Sequence, residues 1–165
     1  MNSKTCCFTG SRPQKFSFGF DEKHPDCLRI KEMLFEKIEQ AIADGFVHFV
    51  SGGALGVDTW AAEAVLKLKK RHSYVTLEVG VPCLEQEKSW QRKDKQRYRD
   101  VLKRADEVTV LQKNYTAGCM RRRNEYMVNK SSLVIAVWSG QKGGTASTIA
   151  YAKRHERTVV MIEAR

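Results

Sequence analysis

Between Phe46 and Leu66 the chain reads FVHFVSGGALGVDTWAAEAVL. The apolar run Phe46–Val50 stops at Ser51-Gly52-Gly53. Gly56 follows, and from Val57 onward the apolar residues take helical spacing. This order of strand, glycine turn and helix constrains the fold more than any other stretch. Glycine permits positive φ and lets a ligand approach the backbone closely. A helix beginning straight after such a turn aims free N–H groups at whatever sits there. The turn therefore reads either as a cradle for a phosphate or carboxylate, or as a tight βα connection with no ligand. Its spacing matches neither the dinucleotide fingerprint G-x-G-x-x-G nor the P-loop.

The rest of the chain repeats the alternation. Thr5–Thr9 is an apolar strand ending at Gly10-Ser11-Arg12-Pro13. Residues 14–25 lack periodicity and hold Phe16, Phe18 and Phe20, read as a packed cover over the core or as a lid. Asp26–Asp44 carries Ile30, Leu34, Ile38 and Ala41 at period 3.6 and stops at Gly45. A helix over Gly56–Lys70 and a strand over Tyr74–Val81 follow. Lys93–Ala105 reads as a basic helix, Val108–Leu111 as a strand, and Met120–Lys130 as a helix. Leu133–Trp138 is a very apolar strand, followed by the turn SGQKGG, a helix over Thr145–His155 and a strand over Thr158–Ile162. Alternating strands and helices predict an α/β fold. It is Rossmann-like and doubly wound, with a mainly parallel sheet of about six strands flanked by helices. No linker, repeat or low-complexity segment interrupts it, so residues 1–165 are expected to form one domain.

In such sheets ligands lie beyond the carboxyl ends of the strands, where strand order reverses. Three strand ends carry glycine with small or cationic neighbours: Gly10-Ser11-Arg12, Ser51-Gly52-Gly53 and Lys142-Gly143-Gly144-Thr145. A parallel fold puts all three on one edge, which points to a phosphate-bearing ligand. Arg123 lies three residues from Met120 and four from Met127, so it shares their inward face. An inward Arg needs an anion or a carboxylate partner, either a ligand or a neighbour such as Glu125. Asp58, in the first turn of its helix, suits the helix dipole or contacts a ligand ribose or clamps the turn. Asp58, Glu85 and Glu87 are carboxylates near strand ends, but no paired spacing singles one out for glycosidic chemistry. The histidines are scattered, with no nucleophile motif near them.

The net charge is +10. From Lys88 to Arg104 there are eight basic residues and two acidic ones, and Lys67–Arg71 and Arg121–Arg123 add further clusters. Such an excess favours polyanions by counterion release, or forms solvated helix faces. Five cysteines, without a C-x-x-C pair or a His-Cys cluster, argue against a disulfide framework and a zinc site. No metal is expected, and reduced thiols fit a cytoplasmic protein. No apolar run reaches about 18 residues, so no membrane span is expected.

The order of motifs resembles the YpsA-like proteins. These are a branch of the superfamily that joins DprA (also called Smf) to the LOG phosphoribohydrolases. The matching segments are Thr9–Gln14, the SGGALGVD turn Ser51–Asp58, Gln86–Trp90, Gly118–Asn124 and Ile135–Thr145. They span nearly the whole chain. The resemblance implies a Rossmann-like fold and a nucleotide or nucleotide-derived ligand, but no established reaction. A dimer is an expectation from relatives. LOG enzymes carry M-x-x-R-K and P-G-G-x-G-T-x-x-E. Here Met120–Asn124 keeps the Arg, with Asn in place of Lys, and Thr148 stands where the catalytic Glu would be. A hydroxyl cannot replace that carboxylate as a general base or anionic stabiliser, so LOG-type hydrolysis is disfavoured.

The leading expectation is a sensor or regulator that binds a nucleotide-derived small molecule, ADP-ribose-like among the candidates, its identity unknown. Gly52, Gly53, Gly143, Gly144 and Thr145 would cradle phosphate beside Gly10, Ser11, Ser51, Gly56 and Lys142. Arg12 and Arg123 would neutralise it, and Gln86 or Trp90 would meet base or ribose. The alternatives are an N-glycosidase using Asp58, Glu85 or Glu87, and DprA-like binding of single-stranded nucleic acid.

Overall fold

A computed structural model describes residues 2–164. The strands are β1 (Asn2–Gly10), β2 (His48–Ser51), β3 (Thr76–Val81), β4 (Glu107–Val110), β5 (Ser131–Trp138) and β6 (Thr158–Glu163). The helices are α1 (Pro25–Ala43), α2 (Val57–Lys69), α3 (Arg92–Arg104), α4 (Cys119–Lys130) and α5 (Gly144–Arg154). Every strand pair is parallel, and the sheet order is β4-β3-β2-β1-β5-β6.

Side-chain alternation sorts each central strand between two layers. Cys6 and Phe8 of β1 and Leu133, Ile135 and Val137 of β5 join the core under α1, α2 and α3. Cys7, Val50 and Val134 face the other way, against Met127 and Val128 of α4 and Ala152 of α5. Burial on both faces is why β5 reads as an unbroken apolar run. From β1 the chain steps outward through β2 and β3 to β4, then returns through α4 to place β5 on the other side of β1. The strand order therefore reverses between β1 and β5, where the fold leaves a crevice.

The sequence places β1 from Thr5, whereas the strand begins at Asn2. It extends β3 back to Tyr74, but that ring is exposed and pairing starts at Thr76. Within the aperiodic stretch, Phe16 and Phe18 stack on each other and pack against Trp60 in the main core. They form a cover over the core. Phe20 is 65% exposed and stays outside it.

One charged side chain lies inside the sheet. Glu78 of β3 is fully buried and accepts hydrogen bonds from His48 Nε2 (2.7 Å), Lys130 Nζ (2.6 Å), the Tyr126 hydroxyl (2.6 Å) and the Thr109 hydroxyl (2.8 Å). Glu107 joins His48 and Glu78 in a group with the donor types of a metal site, but the Lys130 ammonium already bonds Glu78 there. Burial alone would favour the neutral acid. The four donors outweigh it and bring the pKa of Glu78 down to about 2. Lys130 and Tyr126 lie in the last turns of α4, so this carboxylate anchors that helix to the sheet.

A folded-state pKa below the unfolded value gives stability that is complete above the usual carboxylate range and is lost as pH falls toward 2. A depression of roughly two pH units is worth on the order of 3 kcal/mol. Glu78→Gln should therefore lower stability at neutral pH by about 2–4 kcal/mol. The gap to the parent protein should narrow as denaturation is repeated toward about pH 3. A gap independent of pH would show that Glu78 contributes packing alone.

Candidate functional site

Beyond the ends of β1 and β5 lies a crevice of about 180 Å³. One wall is Thr9, Gly10, Ser11, Arg12 and Lys15, following β1. The opposite wall is Gln141, Lys142, Gly143, Gly144 and Thr145, following β5 and opening α5. Ala54 and Asp58, from the turn into α2, and Met120, Arg123 and Asn124 of α4 complete the lining. The two walls are latched across the mouth. Ser11 N–H donates to the Val137 carbonyl (3.3 Å), the Ser11 and Ser139 hydroxyls lie 3.4 Å apart, and Lys15 Nζ donates to the Lys142 carbonyl (3.1 Å).

The second glycine turn is built differently from its reading as a cradle. Ser51, Gly52, Gly53 and Gly56 do not line the crevice. A Cβ on Gly52 would sit 2.7 Å from Arg123 Cζ and 2.7 Å from Asp58 Oδ2, so two side chains pack directly over this glycine. Gly56 has φ +88°, and a Cβ there would meet Pro13 Cδ at 2.9 Å. Its conformation and its contact with the β1 turn both require glycine. The Ser51 hydroxyl donates to the Asp58 carbonyl (2.8 Å) and accepts from Gly53 N–H (3.2 Å). These groups brace the turn, and the residues that reach the crevice from it are Ala54 and Asp58.

Arg123 is 2% exposed. Its Nη1 donates to the carbonyls of Gly52 and Gly80 and to Gln86 Oε1, and its Nε donates to Asn124 Oδ1. The sequence offers Glu125 as a partner, but Asp58 supplies the opposing charge across Gly52. Burial lowers the Arg123 pKa, Asp58 opposes that shift, and nearby Arg12 adds to it. Burial raises the Asp58 pKa above the usual carboxylate range, while Arg123, the Ala54 N–H and Arg12 pull it back. The Asp58 Oδ2 accepts from Ala54 N–H (3.2 Å). Asp58 thus clamps its turn while also lining the crevice.

The start of α5 is open by contrast. Its first turn holds no acidic residue, and no side chain caps it at Gly143. The leading N–H groups of a helix have no intrahelical partner. Here they point at a crevice that also receives Arg12, Lys15 and Lys142. Among the described residues neither Arg12 nor Lys142 has a carboxylate within ion-pair distance, and Asp58 is the one carboxylate on the lining.

Gln86 and Trp90 lie outside the crevice, where the sequence reading had put them against base or ribose. Gln86 is buried behind it, donating to the Gly52 carbonyl (3.3 Å) and the Tyr98 hydroxyl (3.2 Å). Trp90 packs edge-on against Tyr98 and lines a separate notch with Phe20, Leu55, Lys93 and Arg97. The irregular connection after β3 turns them away. Glu85 and Glu87 are engaged by Lys88 and Arg99. Lys15, Ala54, Met120, Asn124 and Gln141 line the crevice without having been singled out as ligand contacts. Met120 and Asn124 were detectable from their place beside Arg123, but Lys15 lies in an aperiodic stretch that gives no directional signal.

The sequence profile of the YpsA family, described as YspA SLOG family, matches residues 6–164. The UPF0398 protein BH1768 of Halalkalibacterium halodurans is 35% identical over 146 residues, covering 87% of this chain and 77% of its own. The uncharacterized SPbeta prophage-derived protein YoqJ of Bacillus subtilis is 33% identical over 145 residues, covering 80% of this chain and 85% of its own. Among solved structures, the chain superposes on DNA processing protein A from Helicobacter pylori with a TM-score of 0.66 at 20% identity. That protein is described by its single-stranded DNA binding mode. DNA processing protein A from Streptococcus pneumoniae superposes with a TM-score of 0.65 at 18% identity. The present chain spans 66% of the first and 51% of the second, so these likenesses concern the fold.

The two glycine turns give opposite expectations for the same substitution. Gly52→Ala should destabilise by about 1–3 kcal/mol, because the Cβ drives Arg123 and Asp58 apart. Gly144→Ala should stay within about 0.5 kcal/mol of the parent, since nothing lies within 4 Å of its Cβ. Denaturant titration of both variants checks this, and equal losses would contradict the assignment of the Gly52 turn to packing.

Proposed function

The chain belongs to the YspA SLOG family, and from that premise we propose that its switch-point crevice binds a nucleotide or nucleotide-derived small molecule, as a sensor or regulator. The observation that carries this reading is the uncapped start of α5, beside Lys142 and facing Arg12 and Lys15 across the crevice, with no acid in its first turn. Helix N–H groups, a buried Thr145 and several cations are the chemistry of a phosphate site. Asp58 and Asn124, on the floor, suit ribose hydroxyls, which a carboxylate accepts from and an amide can either donate to or accept from.

Binding is favoured over glycosidic hydrolysis by what stands at Thr148. Its hydroxyl donates to the Gly144 carbonyl (2.8 Å), so it is occupied within the helix. Asp58 is then the sole carboxylate on the crevice lining, and it already clamps its own turn.

A second reading rests on a different surface. Arg92, Lys93 and Lys103 are exposed along α3, with the half-buried Lys95 among them, beside the notch that holds Phe20 and Trp90. Cations next to the exposed Phe20 and the half-buried Trp90 suit single-stranded nucleic acid, the ligand described for the Helicobacter pylori protein of similar fold.

Calorimetry with nucleoside monophosphates, ADP-ribose and NAD tests the first reading. Arg12→Ala and Lys142→Ala should each weaken binding by about 10- to 100-fold, the range for a hydrogen bond to a charged group. Absence of heat with every ligand, in a folded sample, would sink it. For the second reading, gel shifts with single-stranded oligonucleotides at about 50 mM salt should be reduced by Lys93→Glu with Lys95→Glu and leave nucleotide binding unchanged. No shift at that salt rules it out.

A further inference from the structure

Resting on the nucleotide reading of the crevice, we infer that the ligand does not end at its phosphate. The phosphate carries a second, hydroxyl-rich group, such as another sugar, which lies in the groove between α4 and α5. The first argument is size. Sites for small molecules enclose roughly 300–1,000 Å³, whereas the crevice holds about 180 Å³. A cavity of about 560 Å³ adjoins it between α4 and α5, and Met120, Asn124 and Gly144 line both. Gly144 is the first residue of α5, so a phosphate on that helix end would sit at the junction, with one substituent entering the crevice and the other the groove.

The groove lining indicates what the second substituent is. Its polar walls carry Arg121, Arg154, Glu125 and Ser147. Among the described residues, the side chains of Arg121, Glu125 and Ser147 have neither a hydrogen-bond nor an ion-pair partner, in contrast to the engaged Thr148 hydroxyl. A cation, a carboxylate and a hydroxyl together offer both donors and acceptors. Arg121, Arg154 and Glu125 oppose a plain hydrocarbon tail. Base stacking is also disfavoured, because the one aromatic ring present, Tyr151, is taken. His155 stacks on it at 4.1 Å, and Arg154 lies 5.9 Å from its centre. A group rich in hydroxyls satisfies the remaining partners without needing a ring face.

The experiment compares ligands that differ only in the second group. ADP and ADP-ribose share their phosphates and adenosine, and the dinucleotide ApA presents its second ribose through a phosphodiester. ADP-ribose or ApA should bind at least about tenfold tighter than ADP or AMP, respectively. Glu125→Gln and Ser147→Trp should each remove that advantage while leaving ADP and AMP affinities within about twofold. Which of the two shows the advantage decides whether a pyrophosphate or a phosphodiester links the groups. Ser147 and Glu125 are not core residues, and either variant alone reads the groove if the other fails to fold. Equal affinities within each pair, or an advantage that survives both variants, overturn the inference and leave the crevice reading intact. Failure of all four ligands to bind overturns both together.

Discussion

The buried guanidinium of Arg123 is the constraint on which the ligand edge of this fold depends. It is 2% exposed and bonds the carbonyls of Gly52 and Gly80, so a single side chain of α4 gathers the end of β2 and the interior of β3. A cation buried without partners costs several kcal/mol, and removing one member of such a set costs about 3–5 kcal/mol. Asp58 supplies the opposing charge, and a Cβ on Gly52 would crowd both groups. The same helix is held at its other end by Lys130 and Tyr126 on Glu78. With both ends fixed, Met120 and Asn124 are held on the crevice wall.

This arrangement makes two superficially similar helix starts unlike in electrostatics. Both α2 and α5 follow a strand and a glycine turn, and both have uncapped first residues. At α2 the positive end of the helix meets Asp58 from its own first turn, and the Asp58 charge is shared with Arg123. That end is satisfied within the protein. At α5 no acid is present, the surrounding side chains are cations, and the loop before it leaves Gly143 and Gly144 exposed. An anion would complement the charges at the second site and would be redundant at the first. The pattern separates a βα turn whose charges are met from within from one whose helix end stays open.

Much of this was legible in the residues and some was not. The alternation of apolar runs with helical periodicity predicts every strand and α-helix, because buried parallel strands and amphipathic helices write their periods directly into sequence. The family motifs were equally visible. Arg123 was placed inward by its spacing from Met120 and Met127, but its partners were not, since Asp58 and the Gly52 carbonyl come from segments more than 60 residues away. The Gly52 turn could not be told from a phosphate cradle by composition. The distinction lies in which side chain fills the space above it. Gln86 and Trp90 sit in an irregular connection, where neither period applies and side-chain direction has no sequence signature. Glu78 looks like a polar lapse in an apolar strand until the four donors that converge on it are in view.

The charge surplus resolves into unequal parts once its pairings are drawn. Arg97 is held by Glu22 and Glu63, Lys31 by Glu22, Lys69 by Asp106, and Arg99 by Glu87. Those cations contribute little field at a distance. Among the other cations, one group lines the crevice and another stands on the outer face of α3. On α3 the charges stand in solvent, where salt screens them beyond about 10 Å, and they suit a long polyanion that contacts many of them at once. In the crevice a few charges surround a concave space whose low-dielectric walls concentrate their field, and an open helix end adds directed N–H donors. A small phosphate ester gains more from the second arrangement than from the first. The two surfaces therefore suit ligands of different length, and one protein can carry both without either competing for the same side chains.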